Sequence, residues 1–292
     1  FALICLANSH GIDLEESYEI PRPYISSSIY YYLSDIKEKI NEYENEWDIY
    51  KKYTNPYEYI HTMIPNKKKA ISKIKPLSRS YFKMIELVNT FNLIESLPPG
   101  FDLEPTSSIH TFHLAEGPGG FIEAVKDIRK NPNDTYIGMT ILRDSQDSNV
   151  PAWKKSQHFL RENPNVFIEN GLDKTGNILN PENFVYCKEK YASSMDFITG
   201  DGGFDFSIDF NNQEINIASL LFGQIAYALC MQKRGGAFVL KIFDSFMLYT
   251  VDLLYLLSSF YEKVYITKPH TSRYANSEKY IVCKNFLYSS CD

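Results

Sequence analysis

The chain is 292 residues long, 44% hydrophobic and 23% charged, which excludes a disordered or low-complexity protein and suits one large domain, or a domain with an extension. Its net charge is −6, so the molecule as a whole lacks the basic excess of a general nucleic-acid binder. Its apolar runs fall short of the ~18 residues that cross a bilayer, and no membrane association is expected.

Phe1–Ala7 is apolar but has no basic residue before it, so no secretory signal is expected; a start without Met is expected of a processed or trimmed chain. Residues 1–65 hold eleven acids against five bases, which accounts for the whole net charge. Within them, Ile29, Tyr32, Leu33, Ile36 and Ile40 recur at three- and four-residue steps and predict helix across 28–60, interrupted by Pro56 and Pro65. Residues 1–65 therefore read as an acidic helical extension that packs on something else, and residues 66–292 as the main domain. Lys67, Lys68, Lys69, Lys73, Lys75 and Arg79 follow as a basic cluster, suited to phosphates or simply solvated.

Ser78–Leu93 predicts a helix with Phe82, Ile85, Val88 and Phe91 on one side. Short apolar runs then alternate with helical stretches. Ile109–Ala115 is a predicted strand, followed by a glycine-rich turn and a helix through Phe121, Ala124, Val125 and Ile128. Tyr136–Ile141, Val166–Glu169 and Asp196–Thr199 are further strands. Ile215–Met231 is an apolar helix, Ala237–Phe243 a buried strand, Phe246–Phe260 a helix, and Lys263–Thr267 and Lys279–Phe286 the last strands. Strand–helix alternation predicts an α/β doubly wound sheet. Only eleven residues separate the last two strands, too few for a parallel crossover, so they are expected to pair antiparallel. Five widely spaced cysteines without a Cys-x-x-Cys pair argue against a disulfide framework or a zinc knuckle, and read as reduced thiols of a cytoplasmic protein.

In such sheets ligands bind at the carboxyl ends of the strands. Glu116-Gly117-Pro118-Gly119-Gly120 lies there, between a strand and a helix, and reads as a ligand turn in which Glu116 accepts from an ammonium or hydroxyl. It is neither the six-residue dinucleotide fingerprint nor a P-loop. The next strand end, through Thr140 to Asp144, offers a second edge; Asp144 would hold a ribose hydroxyl or be an ordinary loop acid. Gly171–Asn177, with Asp173, would cover an adenine-like ring or only connect two elements. Asp201 sits where a strand meets Gly202-Gly203, which alone says little. Lys241 interrupts the apolar run 237–243 and must reach an opening or an acid, because burying its charge is costly. Lys83 and Glu278 stand out by no local feature.

Taken together, these segments resemble the FtsJ-like (RrmJ-type) ribose 2′-O-methyltransferases across residues 78–286. Ser78-Arg79-Ser80-Tyr81-Phe82-Lys83 resembles the segment of the first family lysine, and Phe112–Phe121 the cofactor turn. Asp201-Gly202-Gly203 resembles the aspartate segment and Phe238–Phe243 the second lysine strand. Lys268–Arg273 with Ser277–Val282 resembles the segment that ends in the family glutamate. The wording is similar to the Adrift-type branch, which includes eukaryotic mRNA cap ribose methyltransferases and relatives in large DNA viruses; an Ile-, Asn-, Lys- and Tyr-rich chain suits an AT-rich viral genome such as an asfarvirus. His113 stands where the family often has an acid, leaving Glu116 for the ammonium contact. Thr175-Gly176-Asn177-Ile178 resembles a family Thr-Gly-Asp-Ile segment with Asn177 in place of the acid.

The resemblance implies a Rossmann-like methyltransferase fold, S-adenosyl-L-methionine as cofactor and a catalytic tetrad of Lys83, Asp201, Lys241 and Glu278. It implies cofactor contacts from Glu116, Gly117, Pro118, Gly119, Gly120, Phe121, Thr140, Asp144, Asp173, Asn177 and Asp201, with no metal. Lys241 would be the general base or the group that stabilises the oxyanion. Lys83 would polarise the hydroxyl, Asp201 would orient Lys241, and Glu278 would hold Lys83. The implied substrate is RNA, cap-proximal in mRNA, with a cytoplasmic location and, for a virus, a place in the virion. The acidic extension would take a protein partner. The alternatives are a catalytically inactive methyltransferase-fold module that binds RNA or a partner, and an enzyme acting on ribosomal or transfer RNA.

Overall fold

The apolar runs pair into one seven-stranded sheet in the computed structural model, which describes residues 21–94, 107–142, 152–203 and 212–289. Strands β1 (His110–Leu114), β2 (Thr135–Met139), β3 (Val166–Glu169), β4 (Met195–Gly200) and β5 (Gln232–Ile242) are parallel. Strands β6 (Tyr261–Thr267) and β7 (Lys279–Phe286) complete the order β3-β2-β1-β4-β5-β7-β6. β7 slots between β5 and β6 and runs antiparallel to both. The 268–278 link is too short for a crossover, so antiparallel pairing is the arrangement open to it. The sheet is doubly wound, as the alternation predicts, and Rossmann-like, as the resemblance implies.

Helices cover both faces. Alternation along β5 shows how: Phe238, Leu240 and Ile242 pack with Leu221 and Ile225 of α8 (Ala218–Met231) and Leu257 of α9 (Leu248–Phe260). Ala237 and Val239 pack with Met84 and Leu87 of α3 (Ser80–Phe91) and with Phe121 and Ile122 of α4 (Gly120–Arg129). Each fully buried Leu, Phe or Met contributes about 1.5–3 kcal/mol. A strand covered on both sides reads as an unbroken apolar run, which is why Lys241 stands out in it. By the same alternation Lys241 shares the α3 face with Val239.

Four helical segments depart from expectation. The predicted helix over 28–60 is α1 (Ser27–Glu38), a 3-10 stretch Lys39–Glu46, α2 (Trp47–Tyr53) and one 3-10 turn Glu58–Ile60. It breaks at Tyr43 (φ −116°, ψ 17°), in the acidic run that sets Glu42 four residues from Glu46, a like-charge spacing that disfavours helix. The predicted helix over 215–231 is split at Ile217 into α7 (Gln213–Asn216) and α8, with the Glu214 carboxylate in α7 accepting from the N–H groups of Phe246 and Met247 (both 2.9 Å). Finally, α5 (Gln157–Glu162) and α6 (Pro181–Tyr191) were not expected; α6 starts on Pro181 with Asn180 capping the Glu182 N–H. No helix among the described residues is long and apolar enough to cross a membrane.

Candidate active site

Parallel register sets the carboxyl edge of the sheet. Leu114 pairs with Met139 and Gly200, and Gly200 with Leu240. One residue beyond that line, Asp201 and Lys241 stand side by side: Lys241 Nζ donates to the Asp201 carbonyl (2.6 Å) and lies 3.2 Å from Asp201 Oδ1. Across the antiparallel pair, Lys241 faces Tyr280, whose hydroxyl donates to Asp201 Oδ1 (3.0 Å). In the first turn of α3, Lys83 donates to Glu278 Oε1 (2.8 Å) and Oε2 (2.9 Å) and to the Tyr280 hydroxyl (3.2 Å). The Ser272 hydroxyl donates to Glu278 Oε1 (2.7 Å). Residues from four segments of the chain thus form one continuous line, Glu278–Lys83–Tyr280–Asp201–Lys241.

These side chains are enclosed without being sealed: Lys83 and Lys241 retain 12% exposure, Asp201 16% and Glu278 10%. Burial works to raise the Glu278 carboxyl, but the charges of Lys83 and Lys241 and the bonds from Lys83 and Ser272 overcome it and bring the carboxyl down to about 2. Burial and the nearby charges of Asp201 and Glu278 push the Tyr280 phenol well up, so it stays a donor. Tyr280 is the member of the line that the sequence did not single out; its signal is its place at the start of β7, two residues after Glu278.

At the adjacent ends of β1 and β2 lies the glycine turn. Glu116 is 3% exposed; its Oε1 accepts the Phe121 N–H (2.6 Å), while Oε2 is buried without a partner. Burial first, then the Asp201 charge, raise this carboxyl well above the usual range. A buried, unpartnered carboxylate oxygen beside a second acid is a site for a cation, and it fits the ammonium and sulfonium of S-adenosylmethionine. Glu116, Asp201 and the turn's backbone would hold that cofactor. Thr140 follows β2 at the same edge, and the Gly176 backbone lies against the Thr140 carbonyl while Leu142 N donates to the Thr175 carbonyl (2.7 Å), so loop 171–177 closes over this edge.

Several expected contacts are placed differently. Gly120 packs against the hydroxyls of Ser78 and Ser80, and Gly117 against the Ala152 carbonyl, so neither position has room for a side chain. Pro118 turns its carbonyl to the Ser156 hydroxyl. The Phe121 ring is fully buried in the core; its N–H is what serves the site. Asp173 turns its carboxylate into its own loop, accepting from Thr175, Asn180 and Asn183, and these bonds lower its carboxyl. Asn177 Oδ1 accepts the Leu179 N–H (3.0 Å). His113 is fully buried, its ring nitrogens 2.9 Å from the Thr111 and Thr199 hydroxyls, and burial depresses it to about 3, so it is a neutral seam residue of the sheet. Arg79 leaves the basic cluster and turns in to Glu58, while Lys67, Lys68, Lys69, Lys73 and Lys75 remain exposed. Asp144 lies outside the described residues.

Residues 76–286 match the family described as FtsJ-like methyltransferase. The chain is similar to the cap-specific mRNA (nucleoside-2′-O-)-methyltransferase 1 of Mus musculus, 36% identical over 219 residues, covering 71% of this chain and 26% of that one. It is similar to the protein of the same name in Dictyostelium discoideum, 31% identical over 260 residues, covering 83% and 32%. It is also similar to cap-specific mRNA (nucleoside-2′-O-)-methyltransferase 2 of Drosophila melanogaster, 26% identical over 274 residues, covering 87% and 36%. The chain spans about a quarter to a third of the length of these relatives.

Proposed function

This chain belongs to the FtsJ-like methyltransferase family, and from that premise we propose that it methylates the ribose 2′-hydroxyl of cap-proximal nucleotides in mRNA. S-adenosylmethionine, when bound, supplies the methyl group on a sulfonium; the remaining work is to bring the hydroxyl in line and take its proton. Lys241 supports this most directly. Asp201 takes one of its N–H bonds through the carbonyl and pairs with its charge through the carboxylate, leaving donor capacity for a substrate oxygen. Lys83 is placed otherwise: Glu278 and Tyr280 take all three of its donors. We therefore give Lys241 the substrate proton or the developing oxyanion, and Lys83 the task of keeping Glu278 and Tyr280 in place; polarising the hydroxyl would cost Lys83 one of these bonds. Asp201 orients Lys241.

The exposed lysines 67–69, 73 and 75 lie on the segment that leads into α3, where they suit an RNA backbone approaching Lys83. The same reading extends to the Adrift-type branch, a cytoplasmic location, a viral source and a protein partner on the acidic extension. Methyl transfer with tritiated cofactor to a capped transcript, the same transcript uncapped, and a structured RNA tests the substrate. We expect label on the capped RNA, mapped by nuclease digestion to a 2′-O-methyl group beside the cap. Equal labelling of uncapped or structured RNA, or no labelling, would contradict it.

A further inference from the structure

Glu58 belongs to the acidic segment 1–65, in the one-turn 3-10 helix Glu58–Ile60, yet it is 1% exposed. A carboxylate is retained at such depth only with charged partners, and Glu58 has two. Arg79 Nη1 lies 3.1 Å from Oε2; Arg273 sends Nε to Oε2 (2.9 Å) and Nη2 to Oε1 (3.1 Å); the Thr62 hydroxyl adds a bond to Oε1 (3.0 Å). Burial works to raise this carboxyl, and the two guanidiniums hold it below its ordinary value. Arg79 also donates to the carbonyls of Glu58, Tyr57 and Thr271 (all 3.1 Å). Beside it, Asn55 Oδ1 accepts the Tyr274 N–H (2.6 Å).

What these partners carry matters more than their number. Arg79 is one helical turn before Lys83, and Arg273 stands on the same short link as Ser272 and Glu278. Glu86 of α3 already accepts the N–H groups of His270 (2.7 Å) and Thr271 (3.0 Å), which ties the near side of the link to α3. Arg273 and Tyr274, farther along it, are held by the extension.

Resting on the methyltransferase reading above, we infer that Glu58 is a positioning residue: by clamping Arg79 and Arg273 together it fixes the distance between Lys83 and Glu278, and makes the extension a working part of the active site. Glu58→Gln keeps the shape and removes the charge. In the full chain we expect its kcat to fall about tenfold to a hundredfold, the scale of a misplaced reacting group, with calorimetric affinity for S-adenosylmethionine unchanged. Arg273→Gln should lower kcat to a similar degree, and the double variant should lose little more, because both act through one contact. Hydrogen exchange at the amides of Thr271, Ser272 and Tyr274 should quicken in Glu58→Gln. Unchanged kcat in a folded variant, or additive losses in the double variant, would overturn the inference. If the unaltered chain transfers no methyl group to any RNA, the functional reading falls and exchange alone decides: faster exchange upholds the clamp, unchanged exchange removes it. If Glu58→Gln does not fold, Arg273→Lys, which keeps the charge and loses the fork, is read in the same way.

Discussion

Burying two lysines and two acids a few ångströms apart carries a desolvation cost that only mutual pairing offsets. The pairing here is asymmetric. Glu278 meets Lys83 with both oxygens, whereas Asp201 shares itself among the Lys241 amine and the Tyr280 hydroxyl. Glu278 therefore has a predictable pH signature. Its folded carboxyl sits at about 2 against an ordinary 4.5, so the unfolded chain binds the proton more readily. The stabilisation is fully present above 4.5 and disappears as pH falls from 4.5 through about 2, a swing on the order of 3 kcal/mol. Glu278→Gln is expected to be less stable than the unaltered chain at neutral pH, with the difference shrinking across that window. Denaturant unfolding at stepped pH measures it, and a constant difference between pH 6 and 2.5 would remove the Lys83–Glu278 pair as its cause. His113, depressed by burial to about 3, adds acid lability in both proteins as pH falls below its ordinary 6.5, so the comparison cancels it.

At the scale of elements, the alternation of strands and helices was legible because each strand is short, apolar and bounded by turn residues. β7 illustrates the limit: its antiparallel sense follows from the length of the 268–278 link, but its insertion between β5 and β6 is a long-range pairing that no local pattern encodes. α6 leaves no periodic signal in the sequence because only Asn183 and Cys187 of it are buried, too thin a stripe for periodicity. The glycine turn was legible as a turn after a strand, while the close approach of Ser78 and Ser80 to Gly120 belongs to tertiary packing. That packing makes Gly120→Ala an overpacking change. We expect it to cost about 1–3 kcal/mol in denaturant unfolding, with cofactor affinity preserved in the folded fraction. Unaltered stability together with lost cofactor binding would return Gly120 to the role of ligand contact.

For the molecule as a whole, residues 24–58 contact the strand ends and links that carry the site residues. Besides the Glu58 clamp, Lys37 pairs with Asp244 (2.7 Å) just beyond β5, and Tyr24 N donates to the Phe246 carbonyl (2.7 Å). The acidic bias of residues 1–65 was visible in composition, but composition cannot say that Glu58 is buried or which arginines receive it. Lys241 was legible as one charge in an apolar run; Lys83 and Glu278 needed the fold, since each looks like an ordinary surface residue until α3 and the 268–278 link bring them together. In the proposed function these distant side chains make a single site in which the Lys241 amine receives the hydroxyl proton or stabilises its oxyanion beside the bound methyl donor. Lys241→Met, which keeps the apolar stem and removes the amine, tests it in one experiment: calorimetric binding of S-adenosylmethionine alongside methyl transfer to capped RNA. We expect binding to persist and transfer to vanish. Transfer at the unaltered rate would contradict the claim.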